Sequence, residues 1–185
     1  MIYVFLADGF EECEAVAPID MLRRANLDVV TVKVGENPND NKVVGSRNIE
    51  IIADIHESKI GSNELEMIVL PGGGKGVENL FESGNVKWFI GHCVMYNIPI
   101  GAICAAPSIL ARLGYLKNIK ATAYPSFRHY LTEGGAILEE KEKVITDGIF
   151  TTAAAAGVSI EFGLELVRVL KGEDVARKIA EQILL

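Results

Sequence analysis

Short apolar runs alternate with helical segments along most of this chain, and no other feature restricts its fold so strongly. Ile2–Leu6, Asp28–Val34, Met67–Leu70 and the run that opens at Ile98 are apolar almost throughout, without the polar alternation of a strand that faces water on one side. Between and after them lie helical segments at about Glu12–Ala25, Val77–Glu82, Val86–Tyr96, a stretch ending near Leu113, Val158–Leu170 and Glu173–Leu184. In the first of these Val16, Ile19 and Leu22 fall on one face at helical spacing; in the last, Val175, Ile179 and Ile183 fall on the inner face. Strands buried on both faces need helices on both faces, so the spacing predicts an α/β fold with a mostly parallel central sheet. Val43–Val44 and Ile49–Ala53 predict a small ribbon off that sheet, and Lys120–Ala123 a short strand. Val144–Thr146 and Ile149–Thr152 predict a hairpin about Asp147-Gly148. No repeat, low-complexity tract or linker interrupts residues 1–185, which reads as one domain.

Composition excludes several function classes. At 185 residues, 49% hydrophobic and 23% charged, the chain is globular rather than disordered. Its net charge of −7 argues against a nucleic acid or an anionic membrane surface as partner. The longest apolar stretch is interrupted by Pro99, Gly101 and Pro107 and cannot supply a membrane span. The start, MIYVFLADGF, lacks a basic region and a cleavage pattern and reads as a first strand, not a signal peptide. Three cysteines, in no metal-ligand spacing, point to free thiols in a reducing, cytoplasmic compartment. His56, His92 and His129 have no metal spacing either, so neither metal nor cofactor is expected.

In an open α/β sheet, ligands bind beyond the carboxyl ends of the strands. Three loops should meet there: Ala7–Glu14, PGGGKG from Pro71, and Cys104–Pro107. In IPIGAICAAPSIL (Ile98–Leu110) an apolar run meets a helix start at Cys104 with no polar residue between them. A strand-to-helix step this abrupt requires strained backbone at Cys104, with positive φ, and small neighbours, which Gly101, Ala102, Ala105 and Ala106 are. Pro107 suits the first helical turn. A sulfur at a helix N-terminus is favoured as thiolate, which predicts a depressed pKa. The local sequence fits a buried, apolar cysteine as well. PGGGKG lacks the spacing of a phosphate-binding loop. Its glycines Gly72 and Gly73 would let backbone amides approach a ligand, as an oxyanion hole facing Cys104 does, although a tight turn needs glycine too. In DGFEECEAVAPID, helix-dipole complementarity and solvation explain Glu11 and Glu12. Glu14 differs, because Pro18 four residues on removes the hydrogen bond to its carbonyl and should bend the helix there. A carboxylate beside a thiolate cannot comfortably be charged as well, so a protonated Glu14 donating to Cys104 is the consistent arrangement. Cys93, His129 and Arg47 read as core, surface and solvated ribbon residues; Cys13 reads as filler or as a secondary thiol.

Taken together, ADGFEECEAVAPIDMLRRA, GSRNI, VLPGGGKGVENL, AICAAPSILA and GVSIEFGLELVRVLKG resemble the DJ-one/ThiJ/PfpI superfamily, in the branch of Parkinson-disease protein 7 and its bacterial relatives, over nearly the whole chain. The resemblance implies a flavodoxin-like, three-layer α/β sandwich with a nucleophile elbow, usually a homodimer. It implies a reactive cysteine at Cys104, a protonated glutamate at Glu14, and oxyanion amides from Gly72, Gly73 and Ala105. It also implies a cofactor-independent glyoxalase or deglycase acting on small reactive aldehydes, or a peroxide sensor or chaperone. The family's proteases carry His after the cysteine; here Ala105 stands there, which argues against proteolysis. Animal members carry His where this chain has Tyr124, a hydrogen-bond donor but a poor base near neutral pH. The family's GPG segment is replaced within Ala153–Gly157 (AAAAG), at the pocket.

Overall fold

A computed structural model describes residues 1–185. In chain order the elements are β1 (Ile2–Leu6), α1 (Glu12–Arg24), β2 (Val29–Lys33), β3 (Lys42–Val44), β4 (Glu50–Ile52), β5 (Ile55–His56), β6 (Met67–Leu70), α2 (Gly74–Glu82), α3 (Gly84–Tyr96), β7 (Ile100–Ile103), α4 (Pro107–Arg112), β8 (Lys120–Ala121), α5 (Arg128–Glu133), β9 (Ile137–Leu138), β10 (Val144–Asp147), β11 (Phe150–Ala153), α6 (Ser159–Lys171) and α7 (Glu173–Gln182). Seven strands form one sheet in the order β10-β11-β7-β6-β1-β2-β5, parallel throughout except for β10. The α/β fold with a mostly parallel sheet and helices on both faces is thus as the spacing predicts.

The twofold alternation of side chains along each strand divides the interior into two cores. Tyr3 and Phe5 of β1, Ile68 and Leu70 of β6, and Ile100 and Ala102 of β7 pack with α2, α3, α4 and Leu131 of α5. Ile2, Val4 and Leu6, then Met67 and Val69, then Ile103, pack on the other side with α1, α6 and α7. Strands with two buried faces have no polar side to show, which is why their sequence is continuous apolar. Gly101 lies where α6 crosses β7: a Cβ there would stand 2.8 Å from Leu166 Cδ2 and 3.0 Å from Phe162 Cζ.

Four details differ from expectation. The inner face of α1 is Ala15, Pro18, Ile19 and Leu22, so Val16 lies off it and is 49% exposed. The helix continues through Pro18 as one element. In the hairpin Asp147 pairs with Phe150, which moves the turn one residue on to Gly148-Ile149, with Gly148 at φ 59°. The predicted strand at Lys120 ends at Ala121 and pairs with β9, outside the main sheet, while the two-residue β5 extends the main sheet beyond β2.

Gly101→Ala forces Leu166 and Phe162 to move, a cost of about 1–3 kcal/mol. A melting temperature lowered by several degrees, at roughly 2–4 °C per kcal/mol for a chain of this size, is the expected outcome in a thermal melt. An unchanged melting temperature would contradict the packing described.

Candidate active site

The carboxyl ends of β1, β6 and β7 are neighbours in the sheet, so the loops that follow them meet. Cys104 has φ 65°, left-handed for a non-glycine residue, a conformation that costs about 1–3 kcal/mol and needs surrounding support. That support is backbone: the Cys104 N–H donates to the Ala153 carbonyl (2.8 Å), and its own carbonyl accepts from the Tyr124 N–H (2.9 Å). The step from β7 to α4 takes three residues, Cys104, Ala105 and Ala106, and Ala106 closes it by donating to the Ile103 carbonyl (3.0 Å). Ala105 and Ala106 are buried, which leaves no room for larger side chains without repacking.

Gly72 and Gly73 hold the β6 loop against the β1 loop. The Gly72 carbonyl accepts from the Glu11 N–H (3.0 Å), and Gly73 has φ 92° with its Cα against Gly9, Phe10 and Glu11 backbone. A Cβ on Gly72 would collide with Oε2 of Glu14 and stand 2.8 Å from Cβ of Cys104. Only glycine lets Glu14 and Cys104 approach across this strand end.

Glu14 is 1% exposed. Its own N–H is capped by the Glu11 carboxylate (2.8 Å), which makes Glu11 the N-cap of α1. Burial pushes the Glu14 carboxyl up to about 7; the Cys104 sulfur and the Gly72 and Ala156 amides pull against that rise, and the charge of Glu11 adds to it. None of these neighbours reaches Oε2 with hydrogen-bond geometry, so that oxygen is buried without a partner. The Cys104 sulfur is half-buried. Burial, then the charge of Glu14, push its thiol above the ordinary cysteine value, while the Ala105 and Gly73 amides favour the thiolate. The expected depressed thiol is therefore corrected: burial, and then the charge of an ionised Glu14, outweigh the two amides, and the second of these vanishes when Glu14 holds the proton. Two acids this close titrate as a pair, and the first proton leaves near neutrality.

Gly73 and Ala105 present amides to the sulfur; Gly72 directs its own amide to Glu14 instead. The ring of Tyr124, 45% exposed, lines an adjacent cleft, while its backbone braces Cys104. Glu12, read from the sequence as a solvated charge, is buried: its carboxylate accepts from the Arg47 N–H (2.6 Å) and the Ser46 hydroxyl (3.2 Å), folding the β3–β4 turn over the start of α1. Burial raises its pKa, but these donors outweigh burial and hold it below the ordinary value. The Ala156 amide is the other contributor that the sequence left out; AAAAG has no side chain to mark it. Cys93 is core, its thiol pushed up to about 12 by burial, and Cys13 is exposed. No three His, Cys, Asp or Glu side chains converge on a point that could hold a metal ion, and no helix is long and apolar enough to cross a membrane.

The family model described as DJ-1/PfpI matches residues 1–169. The chain belongs to the DJ-1/PfpI family. It is 36% identical to Protein DJ-1 homolog B of Arabidopsis thaliana over 185 residues, all of this chain but only 41% of that relative, so it spans less than half of that protein's length. It is 31% identical to the Glutathione-independent glyoxalase DJ-1 of Schizosaccharomyces pombe, over 94% of this chain and 92% of the relative. Among solved structures, oxidized Toxoplasma gondii DJ-1 superposes with a TM-score of 0.91 at 32% identity, covering 99% of this chain and 97% of the other. The α/β sandwich of this DJ-1/PfpI member is accordingly that of the family.

Between about pH 4.5 and 7 the folded pair binds one proton more than the unfolded chain, because Glu14 is raised. That stabilisation is complete below pH 4.5 and is lost as pH rises through 7, up to about 3 kcal/mol in all. Glu14→Gln has nothing to lose over that interval. The melting temperature of the variant relative to wild type should therefore rise across it, and parallel curves would contradict a raised Glu14.

Proposed function

We propose that this protein is a cysteine-dependent, cofactor-independent enzyme that converts α-oxoaldehydes such as methylglyoxal to hydroxy acids, or removes their adducts. The observation that carries the reading is the unpartnered Oε2 of Glu14 beside a half-exposed sulfur that faces two amides. The one negative charge of the pair has two homes. The Glu14 carboxyl is almost fully buried and its Oε2 has no partner, although the Gly72 and Ala156 amides approach it, whereas Cys104 is part-exposed beside the Gly73 and Ala105 amides; we therefore assign the charge to sulfur and the proton to Glu14.

Cys104 thiolate then attacks the aldehyde carbon; an S–C bond forms, and the carbonyl π pair moves to oxygen, which takes the Glu14 proton. The Glu14 carboxylate removes the proton from that carbon as the ketone π pair moves to its own oxygen, giving an enediolate; the proton returns to the adjacent carbon as the first C=O re-forms, and the hydroxyl proton of the first carbon passes to the oxygen of the second. A thioester of lactate results, and water hydrolyses it, regenerating the thiol. Developing negative charge on oxygen falls near the loop amides of Gly73 and Ala105. Tyr124 offers a hydroxyl at the mouth. The glyoxalase name of the S. pombe relative supports this reading. Ala105 stands where the family's proteases carry a histidine, so the imidazole base that follows the thiol in those proteases is missing here. Val16, Ile49 and Ile52, apolar and exposed on α1 and the ribbon, supply the face we assign to a second copy in a homodimer.

One observation favours a second role as peroxide sensor. Sulfinate on Cys104 would face the same amides and the protonated Glu14, and the T. gondii structure is that of an oxidized protein.

In a glutathione-free assay, wild type should form lactate from methylglyoxal, while Cys104→Ser and Glu14→Gln should each lose at least about 100-fold in kcat/KM. Full activity in Cys104→Ser would overturn the enzyme reading. After mild peroxide, intact-peptide mass spectrometry should find two added oxygens on Cys104 before Cys13, although Cys13 is the more exposed; the reverse order would remove the sensor.

A further inference from the structure

A cleft of about 410 Å³ is lined by the two segments whose backbone braces the Cys104–Glu14 pair. Tyr124, whose N–H braces the Cys104 carbonyl, and Arg128 form one wall. Ala154, Ala155 and Val158 form the other, flanking the Ala153 carbonyl that holds the Cys104 N–H and the Ala156 amide that faces Glu14. Sites of roughly 300–1,000 Å³ hold drug-sized ligands, so this cleft is far larger than three-carbon methylglyoxal requires.

Its chemistry is uneven. Ala154, Ala155, Val158 and Tyr124 give it an apolar stretch, and of its three cations, Arg128, Lys141 and Lys143, only Arg128 is shown anchored by backbone carbonyls. The Arg128 guanidinium is anchored at two points, Nε to the Ala123 carbonyl (3.2 Å) and Nη2 to the Glu140 carbonyl (3.3 Å). Only its Nη1 reaches a carboxylate, Glu140 Oε2, at 3.5 Å, and that side chain is 68% exposed. An ion pair so long and so exposed is worth little, and an incoming anion can replace it. The rim residues Lys141 and Lys143 against Glu142 do not reverse the sign. A guanidinium held in place by carbonyls is pre-organised for a carboxylate, which it can take through two N–H groups.

We propose that this cleft is a substrate subsite for α-oxoaldehydes whose substituent is an alkyl chain ending in a carboxylate, with Arg128 as the residue that reads the carboxylate and the alanine wall and Tyr124 ring covering the chain. The proposal rests on the α-oxoaldehyde reading of the Cys104 site and narrows it to a substrate class.

Two arms test it and separate its failure from failure of that reading. In the first, kcat/KM is measured for a series of ω-carboxylated α-oxoaldehydes, beginning with 4,5-dioxopentanoate, against neutral 2-oxoalkanals of matched length. Wild type should prefer the best carboxylated member by about 10-fold or more, the scale of a charge-assisted hydrogen bond. Arg128→Gln should bring that ratio close to one. Glu140→Gln leaves the carbonyl anchors of Arg128 in place and should raise the ratio. A wild-type ratio near one, or a preference that survives Arg128→Gln, overturns the proposal. The second arm needs no turnover: calorimetry with 4-oxopentanoate, an unreactive ketone of the same shape, and with neutral 2-pentanone. Binding of 4-oxopentanoate alone, lost in Arg128→Gln and strengthened in Glu140→Gln, supports the subsite even if no aldehyde is converted. Absence of 4-oxopentanoate binding to wild type overturns it even if methylglyoxal is converted.

Discussion

One proton shared between Glu14 and Cys104 is the constraint around which the rest of the site is arranged. Two acids cannot both ionise inside a nearly dry strand end, and neither alone would be unusual. Bringing them together needs three things at once: a left-handed Cys104, a glycine between the partners at position 72, and a helix start that turns Glu14 inward. The sheet supplies all three because β1, β6 and β7 are adjacent and parallel, so their following loops are neighbours by construction. The strain at Cys104 is offset by hydrogen bonds from β11 and from the segment after β8, both part of the folded frame. Cys104 therefore rests at the end of a central strand, while most of the walls of the neighbouring cleft come from loops.

Much of this frame was legible in the residues, for a physical reason. Buried parallel strands must be apolar on both faces, which makes IYVFL and MIVL unmistakable. The elbow was legible because small residues and a proline at a strand end have few other uses, and the positive φ at Cys104 follows. Family resemblance led to the same three loops. Val16 shares a helical interval with Ile19 and Leu22 yet lies off the buried stripe, which Ala15 and Pro18, smaller and less conspicuous, help define. Glu12 and Glu14 are two residues apart on one helix, and both are buried, which no amphipathic pattern predicts. Each is buried because something outside the helix receives it: the β3–β4 turn for Glu12, the cysteine elbow for Glu14. Backbone donors such as the Ala156 amide leave no trace in side-chain identity.

The same physics separates the three cysteines. Cys93 is sealed in the core with no donor to hold a charge, and Cys13 is open to water without a built environment. Cys104 alone combines partial access, two amides and an acid that can hold the exchanged proton. The walls of the neighbouring cleft carry Tyr124, Arg128 and a run of alanines in this chain.

The most direct test of the shared proton is the ultraviolet absorbance of the Cys104 thiolate followed against pH, with Cys104→Ser subtracted. If Glu14 keeps the proton and sulfur carries the charge, thiolate absorbance is already present near neutrality, below the range of an ordinary cysteine. If no thiolate appears until well into the alkaline range, the charge resides on Glu14, Cys104 is an ordinary buried thiol near neutrality, and the account is wrong.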